Sequence, residues 1–297
     1  MPPAVLEVDR VTKRYGSVVA CQDVSFEVRP GELFGLAGST GAGRTTTVRI
    51  VLGVVTPDSG TVRLGGAPVD RRRVGYLPER RGLYPRMRVL DQLVYLSELH
   101  GSDTNQAHKA AEYWLARLGL RHRRAVQVQK LDPADQQRLQ LATAFLSESD
   151  VLVLDEPFAG LDAEDTTQVG ALLRECADAG LPVLFTSDRL DLLERLCDRI
   201  GIIHNGRVLT VGSVAELRAG RRTELVVDAP NAPVWWADSL PGTEVVEVRE
   251  GRTRLVLDAG VDDQVVLAAA LATGPVRGFT RSQPTLAELY RGVVNHL

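Results

Sequence analysis

Apolar and polar positions follow two rhythms along the first 215 or so residues. Short β-branched runs at 5–11, 24–28, 73–77, 183–186 and 200–203 read as strands, as do the apolar runs at 33–37 and 151–154. Between them, 44–52, 89–100, 106–118, 134–146, 163–179, 190–197 and 214–218 carry helical spacing. The run at 151–154 has no polar face, which marks a buried strand. Asn205-Gly206 predicts a tight hairpin into a strand at 207–211. Strands alternating with helices predict a largely parallel α/β sheet.

Past residue 220 the rhythm changes. Strands are expected at 223–228, 244–250 and 253–258, with helices at 265–272 and 284–295, the second having Pro284 at its start. The expected organisation is an α/β domain over 1–220, with a helical subdomain at about 85–147, and a small α+β domain over 221–297. Trp235-Trp236 in the second domain either marks a partner surface or sends one ring into the small core.

Composition then removes several classes. With 297 residues, 44% of them hydrophobic and 25% charged, the chain is neither disordered nor fibrous. A net charge of −3 gives no general pull toward nucleic acid. No apolar run approaches the roughly 18 residues of a membrane span, and the first residues lack the basic-then-apolar pattern of a signal peptide. Cys21, Cys176 and Cys197 are far apart, which supports neither a disulfide framework nor a zinc site and suits a reducing cytoplasm. Lysine occurs only at 13, 109 and 130, so 32 of the 35 basic residues are arginine. The arginine clusters at 71–73 and 121–124 read either as solvated faces or as contacts with lipid headgroups or a partner helix.

Chemistry concentrates at two strand ends. Gly38-Ser39-Thr40-Gly41-Ala42-Gly43-Arg44-Thr45, continued by Thr46, follows an apolar strand and opens a helix, the context of a GxxxxGK[ST] phosphate loop. Glycines let backbone N–H groups turn inward around phosphate oxygens, and the helix N-terminus adds a favourable dipole. Thr45 is placed to reach Mg²⁺, but the lysine position holds Arg44. Arginine keeps the charge and changes its shape, being planar where lysine is a point charge on a flexible stem. The second strand end is Val151-Leu152-Val153-Leu154-Asp155-Glu156. Asp155 emerges at the C-terminal edge of the sheet, where α/β proteins bind ligands; it can hold Mg²⁺ through water, and Glu156 can polarise an attacking water.

With Ala159-Gly160-Leu161-Asp162 following, the chain resembles the ATP-binding subunits of ABC transporters over roughly residues 4–218. Within them it is most similar to bacterial exporter subunits of the drug-resistance and sodium-efflux type, through Arg81-Gly82-Leu83-Tyr84 and the small C-terminal extension. The resemblance implies a P-loop NTPase cassette with a mixed sheet and a helical subdomain. It implies ATP and Mg²⁺ as ligands, a membrane-spanning permease as partner, and a homodimer or heterodimer of cassettes on the inner face of the plasma membrane. It carries Tyr15 onto the adenine-stacking aromatic, Glu79 onto the coupling-loop glutamine, Asp162 onto the dimer-interface loop, and Asp155 and Glu156 onto the metal-holding and water-activating carboxylates.

Three motifs depart from the family. Arg44 replaces the lysine; Asp188 stands at the switch histidine; Leu131-Asp132-Pro133-Ala134-Asp135 replaces the Leu-Ser-Gly-Gly-Gln signature. Pro133 offers no N–H to a phosphate, and a carboxylate at Asp132 opposes one by ~4 kcal/mol at 4 Å before screening. These losses make ATP hydrolysis uncertain. The expected function is an export-complex subunit that binds Mg-ATP with impaired hydrolysis; the alternative is a non-catalytic nucleotide-sensing or scaffolding subunit. A soluble relative acting on DNA or ribosomes fits less well, since one phosphate loop is present. A further expectation is that Arg44 and Asp188 pair with each other at the nucleotide-free site.

Overall fold

The computed structural model describes residues 4–80, 82–146, 148–218, 223–258, 260–282 and 285–295. The expected boundary near 220 lies outside them, as do Arg81, Pro284 and His296. The chain divides into two compact units, Met1–Val214 and Ala215–Leu297.

In the first unit, β1 (Leu6–Tyr15) and β2 (Val18–Val28) form a hairpin that leads into β3 (Leu33–Ala37), the phosphate-loop segment and α1 (Arg44–Val51). Next come β4 (Ser59–Leu64), β5 (Ala67–Pro68) and β6 (Val74–Leu77), then α2 (Val89–Leu99), α3 (Thr104–Arg117) and α4 (Pro133–Ala144). The chain returns through β7 (Val151–Asp155), α5 (Ala163–Asp178), β8 (Val183–Ser187), α6 (Leu190–Leu196), β9 (Arg199–His204) and β10 (Arg207–Gly212); the short α7 (Val214–Arg218) follows, most of it belonging to the second unit.

The central sheet runs β10-β9-β3-β8-β7-β6, parallel except for the β9–β10 hairpin. Every residue of β3, β7 and β8 is buried, as a parallel sheet covered on both faces requires. A second, antiparallel sheet has the order β2-β1-β4-β5. Its strand β4 was not expected from the sequence: only Val62 and Leu64 pack inward, and both are half-buried. β2 also starts earlier than expected, at Val18.

The helical segment is locally well specified. Asp103 and Gln106 close a capping box on α3. Trp114 stacks on Phe145 with centroids 4.6 Å apart. The arginine cluster at 121–124 is not simply a solvated face. Arg124 Nη1 reaches Glu112 at 3.3 Å, and Arg123 Nε reaches the buried Asp135 carboxylate at 3.1 Å. At 71–73, Arg72 pairs with Asp70 at 3.0 Å and Arg73 with Asp150 at 2.5 Å.

The second unit contains β11 (Thr223–Asp228), β12 (Thr243–Arg249), β13 (Arg252–Leu257), α8 (Asp263–Thr273), β14 (Gly278–Ser282) and α9 (Leu286–Asn295). Its antiparallel sheet has the order β12-β13-β11-β14. That is a split β-α-β arrangement in which turns at 233–240 replace the first helix. β14 was not expected, since Phe279 is the one large apolar residue it carries. Trp236 enters the core, 6% exposed, and donates from Nε1 to Thr253 Oγ1 at 2.9 Å, while Trp235 is 69% exposed. Trp236→Ala is therefore expected to destabilise this unit by about 3–5 kcal/mol and Trp235→Ala by less than about 1 kcal/mol. Urea midpoints of the two variants against the parent chain measure the difference.

Candidate functional site

β3 delivers the phosphate loop to the C-terminal edge of the central sheet, and α1 begins at Arg44. The turn into α1 needs glycine at two points. Gly43 has φ +107°, and a Cβ there would collide with the Ala20 carbonyl. At Gly38 a Cβ would lie 2.6 Å from the Ile203 carbonyl oxygen. Both positions hold the loop tight against its neighbours.

β7 lies one strand beyond β8, with Asp155 in register with Thr186. The Thr186 hydroxyl ties the edge together: it donates to Asp155 Oδ1 at 2.6 Å and accepts from the Glu156 N–H at 3.1 Å. Glu156 adopts φ +53°, a left-handed conformation that costs a non-glycine residue about 1–3 kcal/mol. Gln137 of α4 helps to hold it there, donating from Nε2 to the carbonyls of Glu156 (3.3 Å) and Pro157 (3.1 Å).

That backbone turn directs the Glu156 carboxylate at Arg44. Arg44 Nη1 donates to Glu156 Oε1 in an ion pair, with the Arg44 residue only 9% exposed. Burial pushes the Glu156 carboxyl up, Arg44 draws it back, and the charges of Asp188 and Asp155 push it up again. The expected pair between Arg44 and Asp188 is not formed. Asp188 is exposed at the end of β8, where water solvates it. The half-buried Glu156 carboxylate is partly desolvated, so the guanidinium is worth more there.

Asp155 is 2% exposed, and its Oδ2 has no hydrogen-bond partner. Burial pushes its carboxyl up, the Thr186 and Thr45 hydroxyls oppose this, and the Glu79 charge adds to it. The Thr45 hydroxyl also approaches Glu79 Oε2, at 3.4 Å. Gln140 of α4 supports the Glu79 loop by donating to the Pro78 carbonyl at 2.7 Å. An orphaned, buried carboxylate oxygen beside a hydroxyl and a second carboxylate is an all-oxygen donor set, which fits Mg²⁺. Among the described residues no group of three or more His, Cys, Asp or Glu side chains converges. This donor set therefore leaves several coordination positions to water or phosphate.

The structure brings Arg44, Thr45, Glu79, Asp155 and Glu156 together, with Asp188 near enough for its charge to act on Glu156. Ser39, Thr40, Gly41, Ala42 and Thr46 lie on the same loop and the first turn of α1. The remaining candidates stand on other elements. Tyr15, half-exposed, ends β1 with Lys13 Nζ 5.7 Å from its ring centroid. Asp162 caps α5, accepting from the Asp165 N–H at 2.8 Å. Asp132 caps α4, accepting from the Asp135 N–H at 2.8 Å, and Pro133 occupies the first helical turn. Asp135 is buried between Arg138 and Arg123, and Arg138 also reaches Asp165 at 3.0 Å. The sequence reading missed Thr186, Gln137 and Gln140. The signal for Thr186 was present: a hydroxyl directly after the apolar run Val183-Leu184-Phe185.

This strand edge, loop and pair of carboxylates define a P-loop NTPase of the ATP-binding-cassette type. A family model described as ABC transporter matches residues 21–159, and one described as the C-terminal domain of DrrA1-3-like ATP-binding proteins matches 212–294. The chain is 31% identical over 291 residues to the uncharacterized ABC transporter ATP-binding protein YhaQ of Bacillus subtilis, covering 96% of this chain and 97% of that one. It is 32% identical over 297 residues to Nod factor export ATP-binding protein I of Paraburkholderia xenovorans, covering 98% and 94%. A solved structure of an ATP-binding subunit of an ABC transporter superposes with a TM-score of 0.67 at 28% identity, over 72% of this chain and 92% of that one. The chain belongs to the ABC transporter ATP-binding proteins.

The Thr186 hydroxyl is expected to matter for stability before chemistry. Thr186→Val leaves Asp155 Oδ1 and the Glu156 N–H without their partner and is expected to cost about 1–3 kcal/mol. Thr186→Ser keeps the hydroxyl and is expected to retain most of that stability. Urea unfolding of the two variants checks the ranking.

Proposed function

We propose that this chain is the ATP-binding subunit of a bacterial export complex that binds Mg-ATP at a head-to-tail cassette interface with impaired hydrolysis. The observation that carries the impairment is the Arg44–Glu156 ion pair. Glu156 is the carboxylate that would polarise water, and a guanidinium bonded to it weakens it as a base. Two further features act in the same direction. Asp188 offers a carboxylate where a donor is needed, and Asp132 already caps the helix N-terminus that would receive a phosphate from the opposing cassette. Thr45, Asp155 and Glu79 would hold Mg²⁺, which neutralises phosphate charge when bound. Tyr15 would stack on the adenine and Asp162 would face the partner cassette.

Export is supported by the relatives, one of which is a Nod factor export protein and another a linearmycin resistance protein of Bacillus subtilis. Among the described residues no helix is long and apolar enough to cross a membrane, so the permease is a separate chain in this proposal. A cavity of about 340 Å³ lined by Tyr76, Leu83, Leu96, His100 and Arg71 lies beside the Glu79 loop. We place the permease contact there, with the protein on the inner face of the plasma membrane. The second reading is a non-catalytic nucleotide-sensing or scaffolding subunit that regulates a partner cassette. It is favoured by the self-capped signature helix, which impairs any site this signature completes.

Turnover by the purified chain tests the proposal against a variant carrying Arg44→Lys, Asp132→Ser, Pro133→Gly, Ala134→Gly and Asp188→His. Both are expected to bind Mg-ATP, with the parent chain hydrolysing it about 100-fold or more slowly. Equal turnover overturns the impairment; absence of ATP binding by the parent overturns the ATP-binding role.

A further inference from the structure

The loop after Glu79 reads Arg80-Arg81-Gly82-Leu83-Tyr84-Pro85-Arg86-Met87-Arg88, four arginines and no acid in nine residues. The other arginine clusters of the first unit answer to nearby carboxylates. Arg72 pairs with Asp70, Arg73 with Asp150, and Arg121 and Arg124 share Glu112. Arg80, Arg86 and Arg88 are exposed and form no ion pair among the described residues. Two acids stand within three residues of the loop. Glu79 lies 3.4 Å from the Thr45 hydroxyl, and Asp91 is in the first turn of α2, where the helix dipole already favours it.

The backbone that carries these charges is held at several points. The Met87 carbonyl accepts from the Val128 N–H at 3.0 Å, the Pro85 carbonyl accepts from the Gln129 N–H at 2.9 Å, and Arg88 bridges to Gln127. The Tyr84 N–H donates to Oε1 of the buried Gln92 at 2.8 Å. Like charges fixed on one short loop repel each other, and an anionic partner relieves that repulsion. Apolar groups adjoin them. Tyr84 packs edge-on against Tyr95 with centroids 6.0 Å apart, and Leu99 lies one helical turn beyond Tyr95. All three are exposed. Their sequence neighbours Leu83 and Leu96 line the cavity beside the Glu79 loop.

Guanidinium groups beside exposed tyrosines and a leucine match a bilayer interface, where tyrosine rings sit at headgroup level and long cationic side chains reach the phosphates. The cytoplasmic leaflet supplies the complementary negative charge. We infer that Arg80, Arg86 and Arg88, flanked by Tyr84, Tyr95 and Leu99, form a face that binds the anionic lipid headgroups around the permease. The inference rests on placing the permease contact in the adjoining cavity, which brings this face to the membrane surface. It adds a direct attachment to lipid beside the attachment to protein.

The test is sedimentation of the full chain with vesicles of phosphatidylcholine, alone or mixed with phosphatidylglycerol. The parent chain is expected to bind the mixed vesicles, to leave the zwitterionic ones, and to be released by salt. Replacing Arg80, Arg86 and Arg88 together by Gln is expected to weaken binding about 100-fold, at about fivefold per arginine. A control carrying Arg10→Gln, Arg72→Gln and Arg249→Gln removes the same charge from exposed sites elsewhere and is expected to bind like the parent. No binding to the mixed vesicles, or equal losses in the two triple variants, overturns the inference. Native inner-membrane vesicles separate it from the permease reading. Tighter binding to them than to vesicles of their extracted lipid supports a protein receptor as well. Equal binding to both, lost in the loop variant, supports the lipid face and overturns the permease contact. A loop variant that loses only the native membranes, in a chain that ignores lipid vesicles, makes this face a protein contact and overturns the inference.

Discussion

Three strands buried on both faces govern the rest of this molecule. β3, β7 and β8 run side by side in the sheet, every residue inside, with room for polar groups only where the strands end. Parallel pairing puts those ends on the same edge. Ala37 pairs with Ser187 and Asp155 with Thr186, so the phosphate loop, the two carboxylates and Asp188 emerge together. The site is the exposed C-terminal rim of that apolar core. Its electrostatics are correspondingly severe, because Asp155 is fully packed in and Glu156 is partly desolvated.

Under that constraint each buried charge must find a partner nearby. Thr186 serves both Asp155 and the Glu156 backbone, Arg44 serves the Glu156 side chain, and Gln137 holds the Glu156–Pro157 turn from α4. The α4 helix thus links the water-polarising candidate to the signature segment at its own N-terminus. At that N-terminus the same rule applies, and Asp132 satisfies the first turn from within the chain. Glu156 and the first turn of α4 thus find partners within the chain, while Asp155 Oδ2 is left without one.

Much of this was legible in the sequence, and what was not has definite physical causes. Continuous apolar runs identified β3 and β7, and glycine spacing identified the phosphate loop, because those signals are strong and local. β4 and β14 escaped because each is an edge-like strand with one or two apolar residues, held by pairing with neighbours rather than by its own pattern. Of the two readings for Trp235-Trp236, one ring does enter the small core, although the segment is a series of turns. Arg44 was matched to Asp188 because family position alone cannot rank two carboxylates by desolvation. Asp188 is exposed and Glu156 half-buried, and the backbone turn at Glu156, with its positive φ, directs that side chain back to the loop. Position along the chain is readable; which charge has lost its water is a property of the packed structure.

The arginine excess of this chain offers a simple origin for Arg44, since a protein that almost never uses lysine would avoid it here too. The structure weighs against composition as the full account. Arginines such as Arg72 and Arg10 are exposed and pair with neighbouring acids in solvent, where lysine would serve nearly as well. Arg44 is buried and bonded to a carboxylate that the fold has partly desolvated. Guanidinium is more weakly hydrated than ammonium and tolerates that burial better. Nor does a preference for arginine account for Asp132-Pro133, which is a strong helix start in its own right: a carboxylate cap followed by a residue whose missing N–H costs nothing in the first turn. Arg44 and Asp132 each find a partner within the chain, and each replaces a group that the family pattern aims at nucleotide. The shared direction of those exchanges, toward internal satisfaction and away from ligand, supports treating Arg44 as part of one coordinated change in this site.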